Sequence, residues 1–395
     1  MFNTSSHSIL LKIADMKQPS SSSRRLVTIR RISRITAIEE SQYEVVTLDG
    51  WNVVVRRDDG FHIGQLVFYV EVDSFLPSNR YFWEYCAGSH TTLDNKRGFL
   101  VTTTIICKHI SQGLIFNLRT FGKLSKVFEI IKRWFGEDIA VKKLMDMPLQ
   151  ELLGVKKWEH IHHGGSNEGL GTPPIFFPQP GCERAQNLPC LFKDHEEETY
   201  QVTEKLDGIP MSVYAVETSS QWFSTLPPLP GNEQQIGTTR LGVCSRSQDL
   251  VEASTSYFWC TAKQQHITEK IGQAGHNIVV QGELCGSSVM GNTMGFSSGE
   301  HKFFVFDIFD IDKQQHLRPD EVTSICNRLG WDHVPVIFNS MKLSKFANSI
   351  NDLLVKAEGI GVKGQMREGL VFKGNHSKFR FKVISNTWLL ATGKE

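Results

Sequence analysis

The segment Lys205-Leu206-Asp207-Gly208 combines a potential nucleophile with a carboxylate two residues later. A lysine amine attacks phosphorus only when it is unprotonated, and at its ordinary pKa about one lysine in 2500 is neutral at pH 7. A K-x-D-G match alone arises by chance in roughly one chain in ten of this length. Its chemical meaning therefore depends on the residues that come after it in the chain.

Two further carboxylates come later in order, Glu283 at the end of a predicted strand and Glu368 just before another. With Asp207 they are hard oxygen donors, which suit Mg²⁺ or Mn²⁺ and the hydroxyls of a sugar. We predict Glu283 and Glu368 as metal ligands. A polar strand end without chemical function is the alternative for Glu283.

Cations occupy the last two predicted strands, Lys373 on one and Arg380 with Lys382 on the other. Alternation along the strand places Arg380 and Lys382 on one face. Such cations would lower the pKa of Lys205 and neutralise a phosphate chain as pyrophosphate leaves. Arg246, after another strand, could hold a phosphate through two parallel hydrogen bonds.

An aromatic residue completes the set. In Phe304-Val305-Phe306-Asp307, alternation predicts both phenylalanines on one face and Asp307 on the other. Phe306 could stack on a nucleobase. Both phenylalanines could equally be core residues, and this is the more common role for Phe304.

The composition limits the classes of function. The chain has 395 residues, with 43 basic and 42 acidic side chains and a net charge of +1, so nucleic acid would be held by a local patch. Eight cysteines without a C-x-x-C pair predict reduced, mostly buried thiols in an intracellular protein, cytoplasmic or nuclear. No segment has the apolar length of a membrane helix.

The pattern along the chain predicts an α+β protein of three parts after a disordered tail at 1–24, for which an organelle-targeting peptide is the alternative interpretation. Short β-branched runs with Asp-Gly turns predict a barrel at 25–120, OB-like or SH3-like. A helical segment and linker are predicted at 121–187. Residues 188–395 predict a domain of antiparallel sheets with flanking helices.

Within this last domain, seven strands and two helices are predicted. The strands are 199–206, 211–217, 241–245, 278–284, 302–310, 369–373 and 378–384, and the helices are 319–329 and 343–357. Ser219–Thr239, rich in proline and glycine, is predicted as a surface insertion.

The ordered set of motifs resembles the signature of the covalent nucleotidyltransferases, which comprise polynucleotide ligases and mRNA capping enzymes. The predicted barrel precedes the lysine, and the chain ends soon after Lys382. This arrangement resembles the RNA ligases typified by the Deinococcus nick-sealing enzyme, whose members carry an N-terminal OB-like domain. Four further segments are similar to that group: Lys108–Leu114, Gly136–Ile139, Leu153–Glu159 and Glu183–Asn187.

The resemblance implies an ATP-grasp-like ligase domain and a three-step reaction with ATP and Mg²⁺ or Mn²⁺. Lys205 would take AMP from ATP, pass it to an RNA 5′-phosphate, and a 3′-OH would then displace it. The implied substrate is RNA, including a nicked duplex with RNA on the 3′-OH side, and a monomer without membrane contact is expected. The implied positions are Glu204 beside adenine, Arg246 near the 5′-phosphate, Glu283 on ribose or metal, Phe306 on the base, Glu368 on metal, Lys382 on the α-phosphate, and Lys373 and Arg380 among the nucleotide-binding cations.

Ile209-Pro210 depart from the family pattern, in which a small hydroxyl or amide residue often comes after the motif. A GTP-using capping guanylyltransferase is one alternative, and the absence of a barrel after Lys382 disfavours it. A non-catalytic RNA-binding protein on a ligase scaffold is the other. His160, His162 and His163 form either a metal site or a solvated helix end.

Overall fold

The computed structural model describes residues 24–88, 90–158, 169–188, 190–229 and 234–392. It consists of two compact units, Met1–Glu159 with Leu389–Glu395, and His160–Trp388. The three histidines of the predicted cluster, His160, His162 and His163, and the predicted tail up to residue 23 lie outside the described residues.

The first unit is built from short strands in small antiparallel sheets. β5 pairs with both β1 and β11, and β2, β3 and β4 form a second group. Asp49 and Gly50, both with positive φ, make the predicted tight turn between β3 and β4. The strands are β1 (Val27–Arg31), β2 (Arg34–Ala37), β3 (Tyr43–Leu48), β4 (Trp51–Arg56), β5 (Leu66–Val70), β6 (Ser74–Pro77), β7 (Thr91–Leu93), β8 (Lys96–Val101), β9 (Thr103–Ile106), β10 (His109–Gln112), β11 (Leu114–Asn117) and β12 (Lys156–Lys157).

The helices of the first unit are α1 (Trp83–Gly88), α2 (Gly122–Phe135), α3 (Glu137–Met145) and α4 (Leu149–Leu153). The apolar spacing predicts that Val127, Ile130, Ile131 and Trp134 share one face of a helix. In α2, Val127 and Ile131 are buried together with Phe128 in the core formed with the strands, whereas Trp134 is exposed. Gly136, with φ of 88°, ends α2. The helical segment is therefore three helices with sharp turns between them.

The second unit contains an eight-stranded sheet in the order β13-β19-β18-β16-β20-β21-β22, with β17 on β18. Val213 and Val280 on one face pack against Phe258 and Trp259 of a covering helix. The opposite face contacts Phe176 and other aromatic residues. The strands are β13 (Gly169–Gly171), β16 (Ile209–Glu217), β17 (Gln235–Ile236), β18 (Thr239–Cys244), β19 (Asp249–Leu250), β20 (Ile278–Gly286), β21 (His301–Asp310) and β22 (Gln315–His316).

A five-stranded sheet, in the order β14-β25-β24-β15-β23, completes the unit. Its apolar face, with Val202, Phe372 and Phe381, packs against helices through residues such as Leu353. The alternate residues of the same strands point away from this core. The strands are β14 (Glu183–Arg184), β15 (Thr199–Lys205), β23 (Val336–Lys342), β24 (Gly369–Gly374) and β25 (Arg380–Ile384).

The remaining helices are α5 (Leu191–His195), α6 (Tyr257–Gln264), α7 (Ile267–Gly272), α8 (Pro319–Leu329), α9 (Leu343–Phe346), α10 (Ile350–Ala357) and α11 (Asn386–Thr392). The helix predicted at 343–357 is two helices. Ala347 is extended, and the Ser349 side chain accepts a hydrogen bond from the backbone N–H of Asp352, so it caps a new helix. The prediction of mostly buried cysteines is wrong, because only three of the seven described cysteines are buried. In the predicted surface insertion, Ser219–Thr239, most described residues are exposed or half-buried, and Trp222 and Phe223 pack on the sheet.

No helix within the described ranges is long and apolar enough to span a membrane.

Candidate active site

The polar face of the five-stranded sheet gathers the predicted lysines. Lys205 ends β15, Lys373 lies on β24, and Arg380 with Lys382 lies on β25. In the register, Lys373 faces Arg380, and Val371 is opposite both Thr203 and Lys382. Residues directly opposite each other share a face of a sheet, so all four cations project away from the apolar core.

Lys205 is surrounded by carboxylates. Its Nζ lies 2.7 Å from Oε1 of Glu368. Burial favours the neutral amine, but the charges of Glu368, Glu283 and Asp207 outweigh it and raise the pKa of Lys205. The expectation that neighbouring cations lower this pKa is therefore wrong for the protein without nucleotide. Lys205 rests as a paired ammonium.

Two of these acids, Glu283 and Glu368, have raised pKa values, chiefly because they are buried. Burial raises the pKa of Glu283 to about 7, with Glu368 and Asp207 adding to the effect and Lys205 opposing it. Burial also raises the pKa of Glu368, whose Oε2 has no hydrogen-bond partner in the described structure. A buried carboxylate oxygen without a donor is costly and indicates a place for a bound cation or hydroxyl.

These acids fit a divalent cation that is bound by few protein ligands. Among the described residues, no group of three or more His, Cys, Asp and Glu side chains has metal-ligating geometry. Mg²⁺ commonly takes one or two protein carboxylates and completes its shell with water and substrate phosphates. The free oxygen of Glu368 and the desolvated Glu283 suit that mode.

A β-bulge changes the predicted direction of Asp307. Gln281 is opposite Asp307 and Gly282 is opposite Val305, so Phe306 is an extra residue in the strand. The prediction that Asp307 points away from the phenylalanine face is wrong for this reason. Its carboxylate instead meets the polar face of the other sheet.

Asp307 joins two of the predicted nucleotide-binding cations. Its Oδ1 lies 3.0 Å from Lys373 Nζ and its Oδ2 lies 2.6 Å from Arg380 Nη1. Burial opposes the charge, but Lys373 and Arg380 outweigh it and lower the pKa of Asp307. Lys373 Nζ also donates to the Phe306 carbonyl and lies 5.3 Å from the centroid of its ring. Asp307 is thus a buried anchor for this part of the face.

The two phenylalanines differ in exposure. Phe304 is buried in a small cluster with Leu206 and Phe296, as the core alternative predicts. Phe306 packs against the same cluster but is only partly buried. Phe306 therefore has a ring surface available to a ligand.

Arg246 and Glu204 lie on different sides of Lys205. Arg246 is exposed, and its charge acts on Glu283, which places it at the rim of the acidic group. Glu204 is buried, and its Oε2 accepts a hydrogen bond of 3.0 Å from the backbone N–H of Val362. Because successive side chains alternate in β15, Glu204 projects to the face opposite Lys205.

Three residues near the site were given no role from the sequence. Arg184 is buried and is the register partner of Lys382 on β14. Thr293 donates a hydrogen bond to Oδ2 of Asp207. The thiol of Cys182 lies among the charges of Lys382 and Lys205, and burial raises its pKa. Only Arg184 lay in a segment that carried the resemblance, and only the fold brings the other two to the site.

Comparison with known proteins supports both units. A family model described as RNA ligase matches residues 198–384, and one described as an OB-fold domain matches 26–118. No curated protein matches the chain significantly.

Solved structures extend the similarity over most of the chain. A variant of the Naegleria gruberi RNA ligase with ATP and Mn is 29% identical, with a TM-score of 0.75 over 93% of this chain and 98% of that one. The same ligase with PPi gives 29% identity and a TM-score of 0.74 over 93% and 98% of the two chains. A further variant with AMP and Mn gives 29% and 0.75 over the same shares. The chain thus carries a segment that matches the RNA ligase family behind a segment that matches an OB-fold domain, and it is similar to solved RNA ligase structures over most of its length.

Proposed function

We propose that this protein is an ATP-dependent RNA ligase in which Lys205 carries AMP from ATP to an RNA 5′-phosphate. The observation that carries the proposal is the Lys205 amine, paired with Glu368 and flanked by Glu283, on the sheet face that also bears Lys382. A lysine whose position serves only the fold does not need three acids and a row of cations around it. ATP, AMP and PPi, present with the similar ligase, are the substrate and products expected of such a site.

In the first step, Lys205 Nζ attacks the α-phosphorus of ATP. A nitrogen–phosphorus bond forms, and the bond from that phosphorus to the bridging oxygen of pyrophosphate breaks. The ammonium must first lose a proton, and Glu368 Oε1, 2.7 Å away with a raised pKa, is positioned to accept it. Lys382, on the same face, would hold the α-phosphate.

Binding of the nucleotide would use the remaining residues of the site. Phe306 would stack on adenine. Glu204 would lie beside the base only through its main chain, because its side chain projects to the face opposite Lys205. Lys373 and Arg380 would face the departing phosphates. A divalent cation held by Glu283 and Glu368 would supply Lewis-acid stabilisation of the phosphate charge.

The second and third steps act on RNA. An oxygen of the RNA 5′-phosphate displaces Lys205 from the adenylyl phosphorus, which leaves a 5′–5′ pyrophosphate linkage on the RNA. A 3′-OH then attacks the RNA phosphorus, AMP leaves, and a phosphodiester bond remains. Arg246, exposed at the rim near Glu283, would hold the 5′-phosphate. We assign RNA as substrate, with a nicked duplex as one form, and the monomer as the active species.

The pH dependence of adenylation should report Glu283. Its pKa of about 7 means that the carboxylate becomes charged across neutrality, and a charged Glu283 favours both the metal and the nucleotide complex. We expect kcat/KM for ATP in the labelling step to rise from about pH 6 to about pH 8. In Glu283→Gln, kcat/KM should be lower and this inflection should disappear. An unchanged inflection in the variant would assign it to another group.

Sealing of RNA ends tests the whole proposal. Purified protein is incubated with a nicked RNA duplex bearing a 5′-phosphate, with Mg²⁺ or Mn²⁺, and with ATP or GTP in parallel. We expect a joined strand with ATP and none with GTP. If the protein binds the duplex but seals it with neither ATP nor GTP, the result would favour the non-catalytic RNA-binding alternative. Covalent labelling from GTP alone would favour the guanylyltransferase alternative.

A further inference from the structure

Helix α2 ends in two aromatic side chains that the described residues leave exposed. Trp134 is 69% exposed and Phe135 is 62% exposed. Trp134 lies seven residues after the buried Val127, so the two rings continue the buried side of α2 beyond the part that the core of the first unit covers. Large aromatic side chains are among the most favourable to bury, so two adjacent exposed ones at a helix end indicate a surface that contacts a partner.

Unpaired cations accompany these rings. Lys126, Ile130 and Trp134 succeed one another at four-residue intervals, which places them along one side of the helix over about 12 Å. Arg133 is exposed beside Trp134. Within the described chain, neither Lys126 nor Arg133 has an ion-pair partner.

Three acidic residues lie nearby, and neither Glu129 on α2 nor Asp138 on α3 forms an ion pair with these cations in the described structure. Glu137, at the start of α3, is already engaged, since it pairs with Arg31 and Lys132, each at 2.6 Å. On α3, Lys142 and Lys143 lie three and four residues after Ile139, which is 45% exposed, so the three share one face. Both helices thus present aromatic or apolar side chains together with free ammonium or guanidinium groups.

We propose that this aromatic and basic surface, formed by Trp134, Phe135, Lys126, Arg133, Lys142 and Lys143, binds a single strand of the RNA substrate. A base would stack on the indole of Trp134, and the cations would contact the phosphates on either side. The inference rests on the proposed RNA ligase function, but it assigns a surface outside the adenylation site. It would hold the RNA without taking part in any bond-making step.

A membrane is the other partner that aromatic and basic helices suit, and the burial of α2 disfavours it. An interfacial helix inserts a continuous apolar face into lipid. The continuous apolar face of α2 is occupied by the protein core. Two exposed rings flanked by cations match the bases and phosphates of a nucleic acid strand better.

The test compares Trp134→Ala with Trp83→Ala. Trp83, on α1, is 58% exposed and precedes Glu84, so it is a tryptophan of similar exposure outside the proposed surface. Binding of a fluorescently labelled, nicked RNA duplex with a single-stranded extension is measured by anisotropy. We expect Trp134→Ala to weaken binding about tenfold and Trp83→Ala to leave it unchanged. Lys126→Glu with Arg133→Glu should weaken binding further and flatten its dependence on salt.

Controls separate this inference from the proposed function. Labelling of Lys205 from ATP needs no RNA, so Trp134→Ala should label at the wild-type rate. Failure of the wild type to label would defeat the proposed function, whereas equal RNA affinity of wild type and Trp134→Ala would defeat only the surface. Equal losses in Trp134→Ala and Trp83→Ala would also overturn it. Binding to anionic phosphatidylserine vesicles is measured in parallel. If Trp134→Ala loses vesicle binding but binds RNA as the wild type does, the surface binds a membrane and the proposal is overturned.

Discussion

Lys205→Arg should fold as the wild type does and join RNA ends more than about 10⁴-fold more slowly from ATP. Arginine keeps a positive charge opposite Glu368, so the pocket retains its ion pair. Its guanidinium does not lose a proton in proteins and is no nucleophile. Sealing of nicked RNA with ATP measures the effect, and circular dichroism checks the fold.

Pre-adenylated RNA provides the control for Lys205→Arg. This substrate already carries AMP on its 5′-phosphate, so it bypasses both steps that need the amine. We expect the variant to seal it at a rate within about tenfold of the wild type. Sealing from ATP that also persists would show that another residue accepts AMP, and failure on both substrates would point to a damaged fold.

Asp307→Ala should produce the largest loss of stability at the site. The change leaves Lys373 buried without its carboxylate partner and removes the partner of Arg380. Loss of one member of a buried ion pair costs about 4 kcal/mol, which corresponds to a decrease of about 10 °C in Tm for a domain of this size. Thermal unfolding followed by calorimetry measures it.

Asp310→Ala is the matched control on the same strand. Asp310 pairs with Lys313 at 2.7 Å, but the lysine is largely exposed, so the Tm should stay within about 2 °C of the wild type.

The stabilisation that Asp307 provides should depend on pH. The folded protein favours the charged form of Asp307, so its contribution to the free energy of unfolding is complete above the pKa of an unfolded aspartate. It should decrease only in acid, below about pH 4. Equal Tm values for wild type and Asp307→Ala at pH 7 would contradict the anchoring role.

Strands in both units were largely predictable because their signals are local. The Asp-Gly turn between β3 and β4 occurs as predicted in the first unit, and the strand predicted at 199–206 is observed at Thr199–Lys205. Caps and bulges were not predictable in the same way. The break between α9 and α10 depends on one serine, and nothing in the residue types around Phe306 indicates an extra residue in β21.

The members of the site were predictable, but their partners were not. Order along the chain predicts Lys205, Glu283, Glu368 and Lys382 as site residues, and the register of the strands brings the two lysines to one face. Which charge neighbours which depends on contacts distant in sequence. The sequence suggested cations around Lys205, whereas the fold gives it acids and uses Asp307 to hold Lys373 and Arg380.

The most direct test of the central claim locates AMP on the protein. Wild-type protein, checked first for AMP that it already carries, is incubated with ATP and Mg²⁺ or Mn²⁺, digested, and mapped by mass spectrometry. The proposed mechanism predicts one adenylyl group on the peptide that contains Lys205, bonded to its side-chain nitrogen, and its loss when RNA with a 5′-phosphate is added. An adenylyl group on a different residue, or none on a protein that was free of AMP at the start, would contradict it.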